Sequence, residues 1–214
     1  DEINRAPPKT QAALMEVMQE EKVSIGEETF DMDVPFVVLA TQKAVEEKGT
    51  YPLPAAIMDR FFMKLELDYP SREDEDTIIE TNSIRDTDFL GSIEKVIDRD
   101  TILQAQEDVR DIYVSDEVRN YITRLVSTAR GDTDQKIDVV KYIDYAPSPR
   151  ASIWLSMGAS AKAMMDGRTF VKPKDVKDVA KPVLRHRIEL NYEGKLKDMD
   201  SNQVVDALLS YVKV

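Results

Sequence analysis

The sequence predicts an α/β unit followed by a mainly helical one, with the change near residue 70. Three observations carry this. Phe36–Ala40 is a continuous apolar run of β-branched character, the pattern of a parallel strand covered on both faces. Phe62–Tyr69 alternates well enough for a second strand. From Ser71 onward, apolar residues recur mainly at helical spacing between capping residues and prolines.

The elements follow in order. Pro7-Pro8 cannot sit inside a helix but can start one, and Ala12, Ala13, Leu14, Val17 and Met18 then predict a helix from about Pro8 to Glu20. KVSIGEETFDM reads as two short strands turning at Gly26. After the apolar strand, Gly49, Pro52 and Pro54 mark a loop, and IMDRFF a short helix. Ser71, with Asp74 three residues on, is a plausible N-cap. Helices are expected near Arg72–Thr81, Asp100–Asp108, Ser115–Arg130, Ser148–Asp166, Lys174–Leu184 and Ser201–Lys213. Val171–Val176 resembles a helix entry, and Gly131–Tyr145 is a long connection that suggests a short hairpin. The expected units are thus 1–70 and 71–214, with no internal repeat or low-complexity tract.

Composition narrows the function classes. The chain has 214 residues, 42% of them hydrophobic, which is too apolar for a disordered chain. Its formal charge of −12 repels a phosphate backbone at long range, so nucleic acid is not the expected partner. There is no cysteine and a single histidine, His186, which argues against disulfides, thiolate sites and zinc. No apolar run approaches the roughly 18 residues of a membrane span, and no signal-peptide pattern is present. The expected compartment is the cytoplasm.

Several stretches carry candidate chemistry, each with an ordinary alternative. Asp1 and Glu2 are either solvated charge near a helix start or a metal-holding and water-orienting pair. Thr41 and Gln42 end the apolar strand, where open α/β sheets bind ligands, or they are a simple strand exit. Arg60 is either a surface arginine paired with Asp59 or a cation offered to a phosphoryl group on a neighbouring subunit. Arg150 sits in the first turn of a helix, where the dipole disfavours a cation. A phosphate or a nearby carboxylate would remove that penalty. The basic run Arg185-His186-Arg187 suits a helix C-terminus, and His186 receives no catalytic role. The methionines read as core packing.

DEINRAPPKTQAAL, ATQ, EKGTYPLPAAIMDRF, SPRAS and KPVLRHRI, in this order, resemble the MoxR family of AAA+ ATPases across essentially the whole chain. The resemblance implies the α/β remainder of a P-loop NTPase core followed by a helical lid. It implies ATP and Mg²⁺ as nucleotide and cofactor. Asp1 then lies towards Mg²⁺, and Glu2 polarises the attacking water. Thr41, Gln42 and Lys43 occupy the sensor 1 stretch, although the family usually reads ATQNP where this chain has ATQKA. Arg60 corresponds to the arginine finger and Arg150 to sensor 2. Val23–Phe30 corresponds to a pore-facing hairpin in ring relatives. The implied assembly is a hexameric ring. It would remodel or mature protein clients, including by metal-cofactor insertion, often beside a von Willebrand factor A-domain protein. Ala146-Pro147 replaces the usual Gly-Ala. No G-x-x-x-x-G-K-[ST] occurs in the chain, so the expectation is a C-terminal portion of a longer ATPase, inactive alone. The alternative is a non-catalytic interaction module.

Overall fold

The computed structural model describes residues 1–43, 49–83, 93–133 and 137–214. Helix α1 (Pro8–Glu20) opens on a proline, whose missing N–H would have had no helical partner. Strands β1 (Lys22–Ile25) and β2 (Glu28–Asp31) pair antiparallel, with Lys22 opposite Asp31. Gly26 takes φ 67° in the connecting turn, a conformation glycine adopts without a Cβ penalty. The short helix α2 (Ala55–Met58) follows, and α3 (Arg72–Ser83) begins where Ser71 accepts the Asp74 amide.

The rest is mainly helical: α4 (Arg99–Arg110), α5 (Asp116–Arg130), α6 (Pro149–Met165), α7 (Pro173–Leu184), α8 (Tyr192–Leu196) and α9 (Ser201–Tyr211). Side-chain caps begin most of them. Asp98, Ser115, Ser148, Asn191 and Asp200 each accept an amide from the first turn. At α7, Asp175 reaches back to the Lys172 amide at 2.7 Å, which confirms the helix entry read at Val171–Val176.

Three expectations need correction. Phe36–Ala40 and Phe62–Tyr69 join no ladder among the described residues, and Leu39 and Leu67 are 91% and 96% exposed. An apolar or alternating pattern records what a side chain prefers to be buried in. It does not supply the neighbouring strand that must take up the backbone N–H and C=O groups. The connection Gly131–Tyr145 makes no local hairpin among its described residues. A 3₁₀ turn over Asp138–Tyr142 leads into β3 (Ile143–Tyr145), which pairs with the distant β4 (Glu189–Leu190). Tyr142 and Leu190 are both buried there, so the tertiary core decides the pairing. The loop after Lys43 lies partly outside the described residues.

The buried apolar cluster runs from Ile112 to Val212 and is built on α5, α6, α7 and α9. Residues 59–66 dock onto it. Phe62 packs on Trp154 at 5.0 Å between ring centroids, and the Lys64 amide donates to the Pro182 carbonyl at 2.9 Å. Gly158, on α6, lies under this segment. A Cβ there would meet the Phe62 ring at 3.2 Å and Val179 at 3.4 Å, so a larger residue would push these neighbours aside by a few tenths of an ångström.

Candidate functional site

The structure assembles the candidate residues into two groups. The first joins the stretch 1–5 to 41–43. The Ile3 amide donates to the Thr41 carbonyl at 3.0 Å, and the Glu2 amide donates to Thr41 Oγ1 at 2.8 Å. Thr41 Oγ1 in turn donates to Asp1 Oδ1. Asn4, fully buried, grips the Lys43 backbone from both sides: its Nδ2 donates to the carbonyl at 2.9 Å, and its Oδ1 accepts the amide at 3.3 Å. Its own carbonyl accepts the Tyr51 amide at 2.6 Å. Asn4 therefore holds the two halves of this group together, and the sequence reading missed it. The signal was an asparagine flanked by Ile3 in an otherwise charged stretch.

Lys43 Nζ and Arg5 Nε each lie 2.9 Å from a carboxylate oxygen of Glu2. The hydrogen bond from Lys43, reinforced by the charge of Arg5, holds the Glu2 carboxyl below its ordinary range. Glu2 also sits at φ 50°, a left-handed backbone that is uncommon for a non-glycine residue. Gln42 is exposed beside this group. Asp1, Glu2 and Thr41 offer only oxygen donors. That set suits Mg²⁺, which is commonly bound by one or two carboxylates together with substrate phosphates.

The second group centres on Asp59, which is 5% exposed. Its Oδ2 accepts from Ser148 Oγ at 2.8 Å and from Arg150 Nη1 at 3.0 Å. Its Oδ1 accepts from Arg187 Nε at 3.0 Å. Thus the anionic partner of Arg150 in this structure is a carboxylate. The pairing of Arg60 with Asp59, weighed from sequence, is replaced by Arg150 and Arg187. Arg60 Nε is buried without a hydrogen-bond partner among the described residues. Arg187 was read as one member of a basic helix terminus, but its side chain is fully buried. It also donates to the carbonyls of Asp59, Phe61, Phe62 and Val183. Burial lowers its pKa, and Asp59 opposes that shift. His186, beside it, is pushed down to about 4 by burial and by the Arg187 charge, so it is neutral at pH 7.

Known proteins resemble the chain in both of its regions. Residues 1–63 match the profile of the ATPase family associated with various cellular activities (AAA), and residues 136–208 match the AAA lid domain. The chaperone MoxR1 of Mycobacterium tuberculosis is 38% identical over 213 residues, covering 99% of this chain and 55% of that protein. YeaC of Bacillus subtilis is 36% identical, covering the whole chain and 64% of that protein. A crystal structure of a candidate ATPase from Cytophaga hutchinsonii superimposes with a TM-score of 0.92 at 38% identity, over 100% of this chain and 64% of that one. The fold is that of an AAA+ ATPase. The chain belongs to the MoxR family of AAA+ ATPases. It spans between half and two thirds of the length of these relatives.

Proposed function

We propose that the protein hydrolyses ATP with Mg²⁺ in an oligomeric ring, and that hydrolysis drives chaperone-like remodelling or maturation of protein clients. The observation that carries this reading is the Asp1–Glu2–Thr41–Lys43 group: adjacent carboxylates, one in a left-handed backbone conformation, fixed against the end of an apolar segment. Strained backbone held by its surroundings is a recurrent feature of functional sites. Mg²⁺, held by Asp1, would neutralise charge on the transferring phosphoryl group.

The roles of the chain's own residues follow from their chemistry. Glu2, kept anionic by Lys43 and Arg5, accepts a proton or hydrogen bond from water and orients it. Thr41 fixes Asp1 and the Glu2 backbone through one hydroxyl. Gln42 and Lys43 offer donors to a phosphate, and Lys43 differs from a neutral amide in that it cannot accept a hydrogen bond from water. Arg60, whose buried Nε has no hydrogen-bond partner among the described residues, is the cation assigned to a neighbouring subunit's nucleotide. Arg150 is the lid's cation for the phosphates. Residues 1–70 act as core and 71–214 as lid. A hexamer, a von Willebrand factor A-domain partner, metal-cofactor insertion into clients and a cytoplasmic location complete the proposal on family grounds. Among the described residues no helix is long and apolar enough to cross a membrane.

The test is the Mg²⁺ dependence of ATP turnover by the full-length protein. Asp1→Asn should raise the Mg²⁺ concentration for half-maximal rate by roughly tenfold or more, since it removes a charged oxygen ligand. An unchanged Mg²⁺ requirement would remove Asp1 from the site. The second reading, a non-catalytic interaction module, is favoured for residues 1–214 alone by the absence of a Gly-rich phosphate loop from this sequence. Calorimetry on that segment separates the two, with no tight ATP binding expected.

A further inference from the structure

Arg150 is held by a carboxylate that is itself held unusually firmly. Arg187 grips Asp59 twice, through Nε to Oδ1 at 3.0 Å and through Nη2 to the Asp59 carbonyl at 2.8 Å. The same guanidinium donates to the carbonyls of Phe61 and Phe62, so Asp59 cannot swing without breaking a buried network. The free face of the carboxylate, Oδ2, meets Ser148 and Arg150 at the first turn of α6. The Arg150 side chain is 41% exposed, against 7% for Asp59 and 0% for Arg187. Only Nη1 of its fork bonds to Asp59 among the described residues, which leaves donors for a ligand.

We infer that Asp59 is the positioning residue for Arg150, clamped from below by the buried Arg187, so that the lid arginine is aimed before nucleotide arrives. The cluster contains a graded set of charges. A fully buried cation fixes an anion, and the anion fixes a half-exposed cation at a site where the helix dipole would otherwise disfavour it. The inference rests on the reading of Arg150 as a phosphate-facing cation. A merely structural Asp59 would serve only to neutralise Arg187, and an inhibitory one would withhold Arg150 from phosphate.

A double-mutant cycle on ATP turnover by the full-length protein separates these roles, with kcat, KM and Tm read together. Arg150→Ala should lower kcat/KM at least tenfold. Asp59→Asn should lower it roughly 10- to 100-fold in the wild-type background, the scale of a misaimed catalytic group. In the Arg150→Ala background it should cost less than about twofold. Because Asp59→Asn also strips the partner from Arg187, Asp59→Glu is the second variant. It keeps the charge but displaces it by one methylene, and should show the same dependence on Arg150 with a smaller loss of Tm. An equal loss in both backgrounds would mean that Asp59 is structural only, and a faster Asp59→Asn enzyme would make it inhibitory. Either result overturns the inference while leaving the Arg150 assignment intact. Wild-type turnover by Arg150→Ala would overturn that assignment first, whatever Asp59 does.

Discussion

Arg187 shows how far a residue's role can depart from its local sequence. In KPVLRHRI it is one of two basic residues flanking a histidine after a helix, and surface charge is the ordinary expectation. Its burial is possible because every donor of the fork finds an acceptor: Asp59 for the charge and four backbone carbonyls for the remaining N–H groups. Desolvation without that pairing would cost several kcal/mol. His186 is the neighbour that registers this charge. Its ordinary pKa of 6.5 falls to about 4 through burial and the adjacent guanidinium. Between those two values the unfolded chain binds more protons than the folded one, so stability falls as pH drops from 6.5 to about 4. Replacing His186 with Phe removes this titration. Thermal unfolding from pH 7 to pH 4 should show the wild type losing on the order of 2–3 kcal/mol relative to the variant. Parallel pH profiles for the two proteins would mean that His186 takes up a proton freely in the folded state.

At the scale of elements, the lid helices were legible because their signals are local. Ser115, Ser148 and Asp200 cap their helices, and all six predicted helices form within one or two residues of the predicted ends. What depends on distant partners was not legible. The apolar segments 36–40 and 62–69 make no ladder among the described residues, and β3 finds β4 across 44 or more residues of chain. The same divide runs through the candidate site. The acidic pair, the Thr41 stretch and Arg150 could be read from motif and resemblance. Asn4 clamping Lys43, and Asp59 bridging two arginines, exist only once the chain is folded. Helix α6 offers a direct check of how tightly residues 59–66 are packed on the lid. Gly158→Val adds a branched side chain where a single Cβ already meets Phe62 and Val179 at 3.2 and 3.4 Å. It should destabilise the protein by about 1–3 kcal/mol. A variant as stable as wild type would show that the segment can lift from α6 at little cost.

At the scale of the whole molecule, the arginine-bearing segment is fastened to the helical part of the chain by hydrogen bonds and ion pairs. Asp59 is tied to α6 and to the residues after α7, Lys64 to Pro182, and Glu66 to Arg185 and Asn202. Arg60 is therefore coupled through its neighbour to the helical domain, and in the proposed ring any lid rotation also moves the cation offered to the next subunit. Mixing subunits tests the trans role. Arg60→Ala and Glu2→Gln subunits should each be nearly inactive alone. Co-assembled, they should recover part of the wild-type rate, because an intact Glu2 site then receives Arg60 from its neighbour. No recovery on mixing would place Arg60 in its own subunit's site or outside catalysis. The formal charge of −12 on this chain repels a phosphate backbone at long range.

In the proposed mechanism Glu2, gripped by Lys43 and Arg5 and set against Thr41, orients the water that cleaves ATP. Steady-state phosphate release by full-length Glu2→Gln, at saturating ATP and Mg²⁺, tests it most directly. The substitution keeps the shape and removes the charge. Turnover should fall by about 100-fold or more, the range for loss of a general base, while ATP affinity stays close to wild type. Hydrolysis at the wild-type rate would contradict the assignment.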